Sequence, residues 1–420
     1  MNLLLKSSTC KLQSAIAITG SKSETNRLLL LQALYPNLTL ENTSNSDDSE
    51  VMTKALQNFH LPSSISQLVD IHHAGTAMRF LTAYFSILEN REVCLTGSTR
   101  MKERPIKILV DALRQLGAEI SYEENEGFPP IKIKGKKVTK SKVSLSANVS
   151  SQYISALLLI APKLENGLEL TLEGEITSVP YIKMTLSLLN EIGVETSFSG
   201  NKISVKPFVT LSAVGGPNPK SLIVESDWSS ASYYYSIIAL SAIGTEITLS
   251  SYKKNSLQGD SVLAEIYKDF GVETVFDNNK IHLRRFQIPI PKSLILNLNN
   301  SPDIAQTIAV TCLGLGIGCH LRGLHTLKIK ETDRLLALKN ELEKLGATVE
   351  ISDDSLTLEL SNTIHSNIKI STYQDHRMAM AFAPLALKTD IIIEEAEVVS
   401  KSYPAFWIDL KKIGFTIEEV

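Results

Sequence analysis

Five glycines constrain this chain more than any other feature. An amphipathic run ends on an apolar residue, then Gly, then a small or apolar residue opening a strand. The pattern occurs at Leu113-Arg-Gln-Leu-Gly117-Ala, Leu189-Asn-Glu-Ile-Gly193-Val, Ile266-Tyr-Lys-Asp-Phe-Gly271-Val, Leu342-Glu-Lys-Leu-Gly346-Ala and Leu410-Lys-Lys-Ile-Gly414-Phe. The glycines lie 76, 78, 75 and 68 residues apart. A weaker sixth copy, Leu56-Gln-Asn-Phe-His60, has His in place of Gly. Each copy is expected to be a helix stopped by a left-handed glycine that turns the chain into a strand.

A second helix recurs on the same beat, opening with small polar residues and then turning apolar. Its copies begin near Ser21-Lys22-Ser23, Ala74-Gly75-Thr76, Ser150-Ser151-Gln152, Asp227-Trp-Ser229-Ser230, Ser301-Pro302-Asp303 and Tyr373-Gln-Asp375-His376. Bodies such as Leu28–Leu31, Ala156–Ile160, Ile304–Leu315 and Met378–Leu387 are apolar nearly all round, so these helices should be buried. Short alternating strands (Ile131-Lys-Ile-Lys, Lys202-Ile-Ser-Val, Ile281-His-Leu-Arg) lie between them. Six β/α units make either one closed ring or two three-unit domains, and 420 residues favour two domains.

Composition narrows the class. Forty-two Lys+Arg against 45 Asp+Glu gives a net charge of −3, which argues against a general nucleic-acid or anionic-membrane binder. Cys10, Cys94, Cys312 and Cys319 form no C-x-x-C pair, so neither a zinc site nor a disulfide scaffold is expected. The longest apolar run, Ile304 to Cys319, is broken by Gln306, Thr307 and Thr311 and is expected to be a buried helix rather than a membrane span. A soluble cytoplasmic protein is the expectation.

Charged residues at buried helix starts carry the functional signal, because such starts expose N–H groups and partial positive charge. Gly20-Ser21-Lys22-Ser23 with Arg27, and Gly75-Thr76 with Arg79, each set cations there; capping residues and solvated cations are the plainer reading of each alone. Arg100-Met-Lys102-Glu-Arg104 is a dense cationic run or a solvated face. Ser150, Ser151 and Gln152 look like an N-cap, while Ser178 and Tyr181 precede the next helix. In Lys330-Glu331-Thr-Asp333-Arg334, helical spacing puts Lys330 and Arg334 on one face. Asp375-His376-Arg377 opens an apolar helix, where the Arg and His need an acidic partner. Asp303 is a lone carboxylate or an N-cap, and Lys401 alone says nothing. Together these residues suit phosphate and carboxylate ligands, with Glu331 and Asp303 left over for proton transfer.

Gly20-Ser-Lys-Ser-x-x-x-Arg27, Ala74-Gly-Thr-Ala-Met-Arg79, Arg100-Met-Lys-Glu-Arg-Pro-Ile106, Ser150-Ser-Gln, Lys330-Glu-Thr-Asp-Arg334 and Asp375-His-Arg-Met-Ala-Met380 resemble, in order, the motifs of the EPSP synthases, the 3-phosphoshikimate 1-carboxyvinyltransferases. The resemblance spans about residues 20 to 405. It implies an α/β fold of the two-domain enolpyruvyl transferase type: six β/α repeats with buried helices, an inside-out α/β barrel. Residues 1–20 and 226–420 would form one domain and 21–225 the other. The implied reaction moves the enolpyruvyl group of phosphoenolpyruvate to the 5-hydroxyl of shikimate 3-phosphate. No metal and no cofactor is implied, and the expected partners are these two small molecules, with no nucleic acid, no membrane and a monomeric state.

By resemblance Ser23, Arg27, Ser150, Ser151, Ser178 and Lys330 would hold shikimate 3-phosphate. Lys22, Arg100, Gln152, Arg334, Arg377 and Lys401 would clamp phosphoenolpyruvate, with Gly75 against it and against its mimic glyphosate. Arg79 and Tyr181 are counted with the substrate-binding residues. Asp303 would act as base on the 5-hydroxyl, and Glu331 would move the proton at the methylene carbon, with Lys22 and His376 assisting. Departures from the family are His73 for Asn, Phe80 for Pro, Gln374 for Asn, and Thr326 where an Asn commonly contacts the substrate phosphate. Two alternatives stand beside this reading: the sister transferase acting on UDP-N-acetylglucosamine, which needs a loop cysteine as acid (Cys94 being the candidate), and a non-enzymatic ring scaffold.

Overall fold

The structure of the chain, a computed structural model, describes residues 1–6, 13–57, 67–147, 150–176, 178–208 and 220–420. Cys10 and the His60 end of the sixth repeat lie outside them. The chain divides into two compact units, Met1–Gly20 with Glu225–Val420, and Ser21–Val224. Glu225 belongs to the first unit rather than the second. Its buried carboxylate is tied there by Trp228 Nε1 (2.8 Å), the Lys253 amide (2.9 Å) and the Ser256 hydroxyl (2.7 Å).

One repeat illustrates the pattern. Strand Ser293–Asn297 leads into helix Ala305–Leu315 and returns as Gly318–Arg322, parallel to the first strand, with Ser293 opposite Gly318. Helix Arg334–Lys344 follows, then an antiparallel hairpin, Val349–Ile351 and Ser355–Leu358, whose second strand pairs with Gly318–Arg322. The same strand order recurs in the four-stranded sheets that begin with Gln67–Asp70 and Lys142–Ser146.

The repeat glycines do the stopping. The amide after the glycine bonds back to a carbonyl five residues earlier at Ala118→Leu113 (2.9 Å), Val194→Leu189 (3.0 Å), Ala347→Leu342 (3.1 Å) and Phe415→Leu410 (3.1 Å). This closure needs a left-handed residue, and Gly117, Gly193, Gly346 and Gly414 have φ of 108°, 95°, 96° and 111°. At Gly117 a Cβ would meet nothing within 4 Å, so the dihedral alone calls for glycine. The run before Gly271 differs from the expected helix. It is broken into a 3-10 turn, a single α-turn at Leu263–Ile266 and a second 3-10 turn, Tyr267–Phe270.

Two strands trade sheets between the first and fourth repeats. Gln13–Ala17 precedes helix Lys22–Leu34 yet pairs in parallel with Glu246–Ser250. Lys220–Ile223 precedes helix Trp228–Leu240 yet pairs in parallel with Leu38–Glu41. The N-terminal strand Leu3–Lys6 lies between Ile391–Ile393 and Thr416–Glu419, and so completes the last repeat.

The second helix of each repeat starts where its polar opening predicts, at Lys22, Gly75, Ser151, Trp228, Ala305 and His376. Helices Trp228–Leu240 and Ala305–Leu315 bury nearly every side chain, and their hydroxyls satisfy one another: Ser232 with Thr307 (3.0 Å), and Thr311 with Ser236 (2.8 Å) and Tyr267 (2.9 Å). The run Ile304–Cys319 is not one helix. It turns at left-handed Gly316 (φ 69°) and enters a strand at Gly318. Met378–Leu387 likewise passes from α to 3-10 at Ala383, beside Pro384, which has no N–H to donate. Among the described residues no helix is long and apolar enough to cross a membrane.

Candidate active site

In the unit Ser21–Val224, Lys22 is the first residue of its helix, and its Nζ lies 3.4 Å from Asp48. His73 Nε2 approaches the other oxygen of Asp48 at 3.8 Å. Arg27, one turn further into the helix, is only 2% exposed. Its Nε donates to Thr185 Oγ1 (2.8 Å), Nη2 to Ser155 Oγ (3.0 Å) and Nη1 to the Ser23 carbonyl (2.7 Å). The Phe80 and Tyr181 rings flank it, 5.4 and 5.8 Å from the guanidinium carbon. Burial pulls the Arg27 pKa down to about 10, offset only in part by the Tyr181 phenol and Glu24.

The next two helix starts are joined by side chains. Gln152 Nε2 donates to Thr76 Oγ1 (3.1 Å), while Ser150 caps its own helix by accepting from the Gln152 amide (3.3 Å). Ser151 is buried beside it. Gly75 sits under a guanidinium: a Cβ there would fall 2.5 Å from Arg104 Nη1. Ser178 occupies the N-cap of helix Val179–Glu191 in a left-handed conformation (φ 54°). Tyr181 lies inside that helix rather than before it.

Arg79 and Arg100 are held differently. Arg79 is turned into the protein, where its Nη atoms donate to the carbonyls of Gly75 (3.1 Å) and Pro105 (3.1 Å). It therefore braces the Arg100–Ile106 segment against the helix. Arg100 is half exposed and pairs with Glu103 (2.9 Å).

In the other unit the organising group is Asp303. It lies in a 3-10 turn, and its side chain caps no helix. Its carboxylate meets Arg334 Nη1 at 2.8 Å, Lys330 Nζ at 3.5 Å and Arg377 Nη2 at 3.5 Å. Arg377 Nη1 also donates to the Asp303 carbonyl (3.2 Å). Burial alone would raise the Asp303 pKa, but Lys330, Arg377 and Arg334 outweigh it and hold the group well below the usual carboxylate range. Arg334, 2% exposed, also donates to Asp375 (2.6 Å) and Glu331 (2.7 Å). Against burial, Asp375, Glu331 and Asp303 push its pKa further up.

Asp375 caps the next helix by accepting from the Arg377 amide (2.9 Å), and His376 Nε2 meets Ser402 Oγ at 2.9 Å. Lys401 Nζ donates to the Gln374 carbonyl (2.7 Å). Thr326 Oγ1 is buried and has no hydrogen-bond partner among the described residues. Among those residues no group of three or more His, Cys, Asp and Glu is placed to hold a metal ion.

Lys330 and Arg334 do not share a helical face as their spacing suggests. Asp333 caps the helix by accepting from the amides of Leu335 and Leu336 (3.1 Å each), so the helix begins only at Arg334. Both cations reach Asp303 all the same. Sequence reasoning missed Asp48, Arg104 as the neighbour of Gly75, and Asp260, discussed below. The cations flagged at helix starts were the available signal, since a buried cation implies a counter-group somewhere.

The fold defines the class. An EPSP synthase from Acinetobacter baumannii superposes with a TM-score of 0.78 at 20% identity, covering 99% of both chains. The enolpyruvyl transferase NikO from Streptomyces tendae does so with 0.74 at 13% identity, covering 100% of this chain and 99% of that one. The chain thus has the enolpyruvyl transferase fold. Sequence goes further: the family described as EPSP synthase (3-phosphoshikimate 1-carboxyvinyltransferase) matches residues 7–410. A 3-phosphoshikimate 1-carboxyvinyltransferase of Bacteroides fragilis is 44% identical over 99% of this chain and 98% of its own. The enzyme of the same description from Actinobacillus pleuropneumoniae serotype 5b is 36% identical over 96% and 97%. The chain belongs to the EPSP synthase family of transferases.

Proposed function

We propose that the chain transfers the enolpyruvyl group of phosphoenolpyruvate to the 5-hydroxyl of shikimate 3-phosphate in the cytoplasm, acting as a monomer and releasing phosphate. The observation that carries this is the convergence of Lys330, Arg334 and Arg377 on Asp303, with Glu331 on the same arginine. Cations gathered beside two candidate acid–base groups suit substrates bearing phosphate and carboxylate groups. Lys330, with Ser23, Arg27, Ser150, Ser151 and Ser178, binds shikimate 3-phosphate, and Tyr181 and Thr326 belong with them. Arg334, Arg377 and Lys401, with Lys22, Arg100 and Gln152, bind phosphoenolpyruvate, and Gly75 leaves room for it. Arg79 supports this set by bracing Pro105.

Chemistry requires a proton at the methylene carbon and removal of one from the attacking hydroxyl. Glu331 supplies the first and takes a proton back from the resulting methyl group as phosphate leaves, with Lys22 and His376 assisting, and Asp303 accepts the second. Ringed by three cations, Asp303 is a feeble base. Substrate anions that draw Lys330, Arg334 and Arg377 to themselves restore its basicity, so the base becomes competent only when both substrates are bound. Cys94 lies in strand Glu92–Thr96 and burial pushes its thiol up, which disfavours the loop-acid role of the UDP-N-acetylglucosamine reaction. Phosphate release should require both substrates together; release with either alone, or with UDP-N-acetylglucosamine in place of shikimate 3-phosphate, would overturn the assignment.

A further inference from the structure

We infer that Asp260 is a positioning residue for Arg377, acting through the hydroxyl of Ser229; this rests on the proposed role of Arg377 in binding phosphoenolpyruvate. The turn Gly259–Val262 is fixed to the start of helix Trp228–Leu240. Gln258, just before it, accepts from the Trp228 amide (2.9 Å) and donates to the Ser226 carbonyl (2.9 Å). Asp260 is thereby held 2% exposed beside that helix start, where Oδ2 accepts a hydrogen bond from Ser229 Oγ.

Counting donors sets the direction of the chain. A serine hydroxyl has one hydrogen, and here it goes to Asp260. Ser229 Oγ can then only accept from its other neighbour, and it accepts from Arg377 Nη2 at 3.2 Å. The order is guanidinium N–H to serine oxygen, serine O–H to carboxylate. With the bond from Nη1 to the Asp303 carbonyl (3.2 Å), the two terminal nitrogens of Arg377 are anchored on two different elements.

Two atoms remain. Arg377 Nε and Asp260 Oδ1 are both buried with no hydrogen-bond partner among the described residues. Unsatisfied buried charge is costly, and it persists where function requires it. The charged and titratable groups that face Arg377 include Asp303, Tyr233, Asp260, Asp227 and Arg334, and those that face Asp260 include Asp303, Arg377 and Asp227. Burial and Asp303 push Asp260 up to about 6. A carboxylate kept in so unfavourable a place, with a single relay to the guanidinium, is there to aim it.

The test compares Asp260→Ala, Ser229→Ala, the double variant and Asp260→Asn with Arg377→Ala. Either single alanine variant should raise the Michaelis constant for phosphoenolpyruvate about tenfold while kcat changes less than about threefold. The double variant should add nothing beyond one single change, because both remove the same relay. Asp260→Asn, which keeps an acceptor for Ser229, should recover most of the loss. Additive effects, or an unchanged Michaelis constant in Asp260→Ala while Arg377→Ala raises it, would overturn the inference. If Arg377→Ala itself leaves that constant unchanged, the role of Arg377 is what fails. The side-chain 15N resonance of Arg377 then decides the positioning separately: it should move in both alanine variants, and an unmoved resonance rejects the relay.

Discussion

The two units hold a buried helix-start arginine by opposite means. Arg27 is set among neutral oxygens, the hydroxyls of Thr185 and Ser155 and the carbonyl of Ser23, and burial depresses its pKa. Arg334 is set among three carboxylates, Asp375, Glu331 and Asp303, which more than reverse the effect of burial. A cation held by neutral dipoles keeps its charge available to an anionic ligand. A cation paired with carboxylates also fixes the positions of those carboxylates.

Substitution should separate the two most sharply. Arg334→Ala leaves Asp375, fully buried, together with Asp303 and Glu331 short of a counter-ion, and should cost about 3–5 kcal/mol of unfolding free energy. Arg27→Met leaves only hydroxyls and carbonyls short of a donor, and should cost about 1–3 kcal/mol. Urea unfolding of both variants checks this, and equal losses would erase the distinction.

Carboxylates should differ in the same way. Glu331→Gln keeps a partner for Arg334 but cannot move a proton, and should lower kcat by about 10²–10⁴. In the other unit Asp48 meets Lys22 (3.4 Å) and His73 (3.8 Å), so Asp48→Asn should lower kcat by about tenfold or less. Steady-state kinetics on both proteins decides it; a loss at Asp48 as large as that at Glu331 would erase the difference between the two carboxylates.

Much of this contrast was open to sequence reasoning, and the remainder was closed to it for physical reasons. The repeat glycines were legible because a left-handed C′ residue is a local demand that few side chains meet, and the buried helix starts because polar caps and apolar bodies are neighbours in sequence. The exchange of Gln13–Ala17 and Lys220–Ile223 between sheets was not, since a strand of four or five alternating residues does not encode which distant edge it joins. Arg79 and Arg27 looked alike, two arginines one turn into their helices. Only packing turns one of them onto the Gly75 and Pro105 carbonyls. Asp260 is 43 residues from Asp303 and 117 from Arg377, so no spacing could have joined them.

Asp260 offers a stability test of the acidic cluster. Its folded value of about 6 lies above the ordinary 3.8. The native state therefore holds this proton more tightly than the unfolded chain does. The resulting stabilisation is complete below about pH 4 and is lost as pH rises through about 6, a difference of about 3 kcal/mol. Asp260→Asn cannot titrate, so it should be more stable than the parent at pH 8, by up to about 3 kcal/mol, and should lose that advantage by about pH 4. Denaturant melts at the two pH values measure this. A constant difference would mean that the carboxyl is not poised there.

The smallest expected effect concerns Gly75. A methyl group there meets protein: Arg104 Nη1 at 2.5 Å, Nη2 at 2.8 Å and Cζ at 2.9 Å. These atoms are the far end of a flexible side chain, so the guanidinium swings aside rather than the backbone yielding, at a cost of about 1 kcal/mol. Displacing the Arg104 guanidinium should matter more than the added volume. Gly75→Ala should then raise the Michaelis constant for phosphoenolpyruvate about three- to tenfold, and that for shikimate 3-phosphate less. Arg104→Ala should produce a similar change by itself, and in the double variant the two effects should fall well short of additive. Full additivity would mean that the Gly75 methyl acts on the ligand and not on Arg104, and that this binding surface is shaped by volume rather than by the placement of its charges.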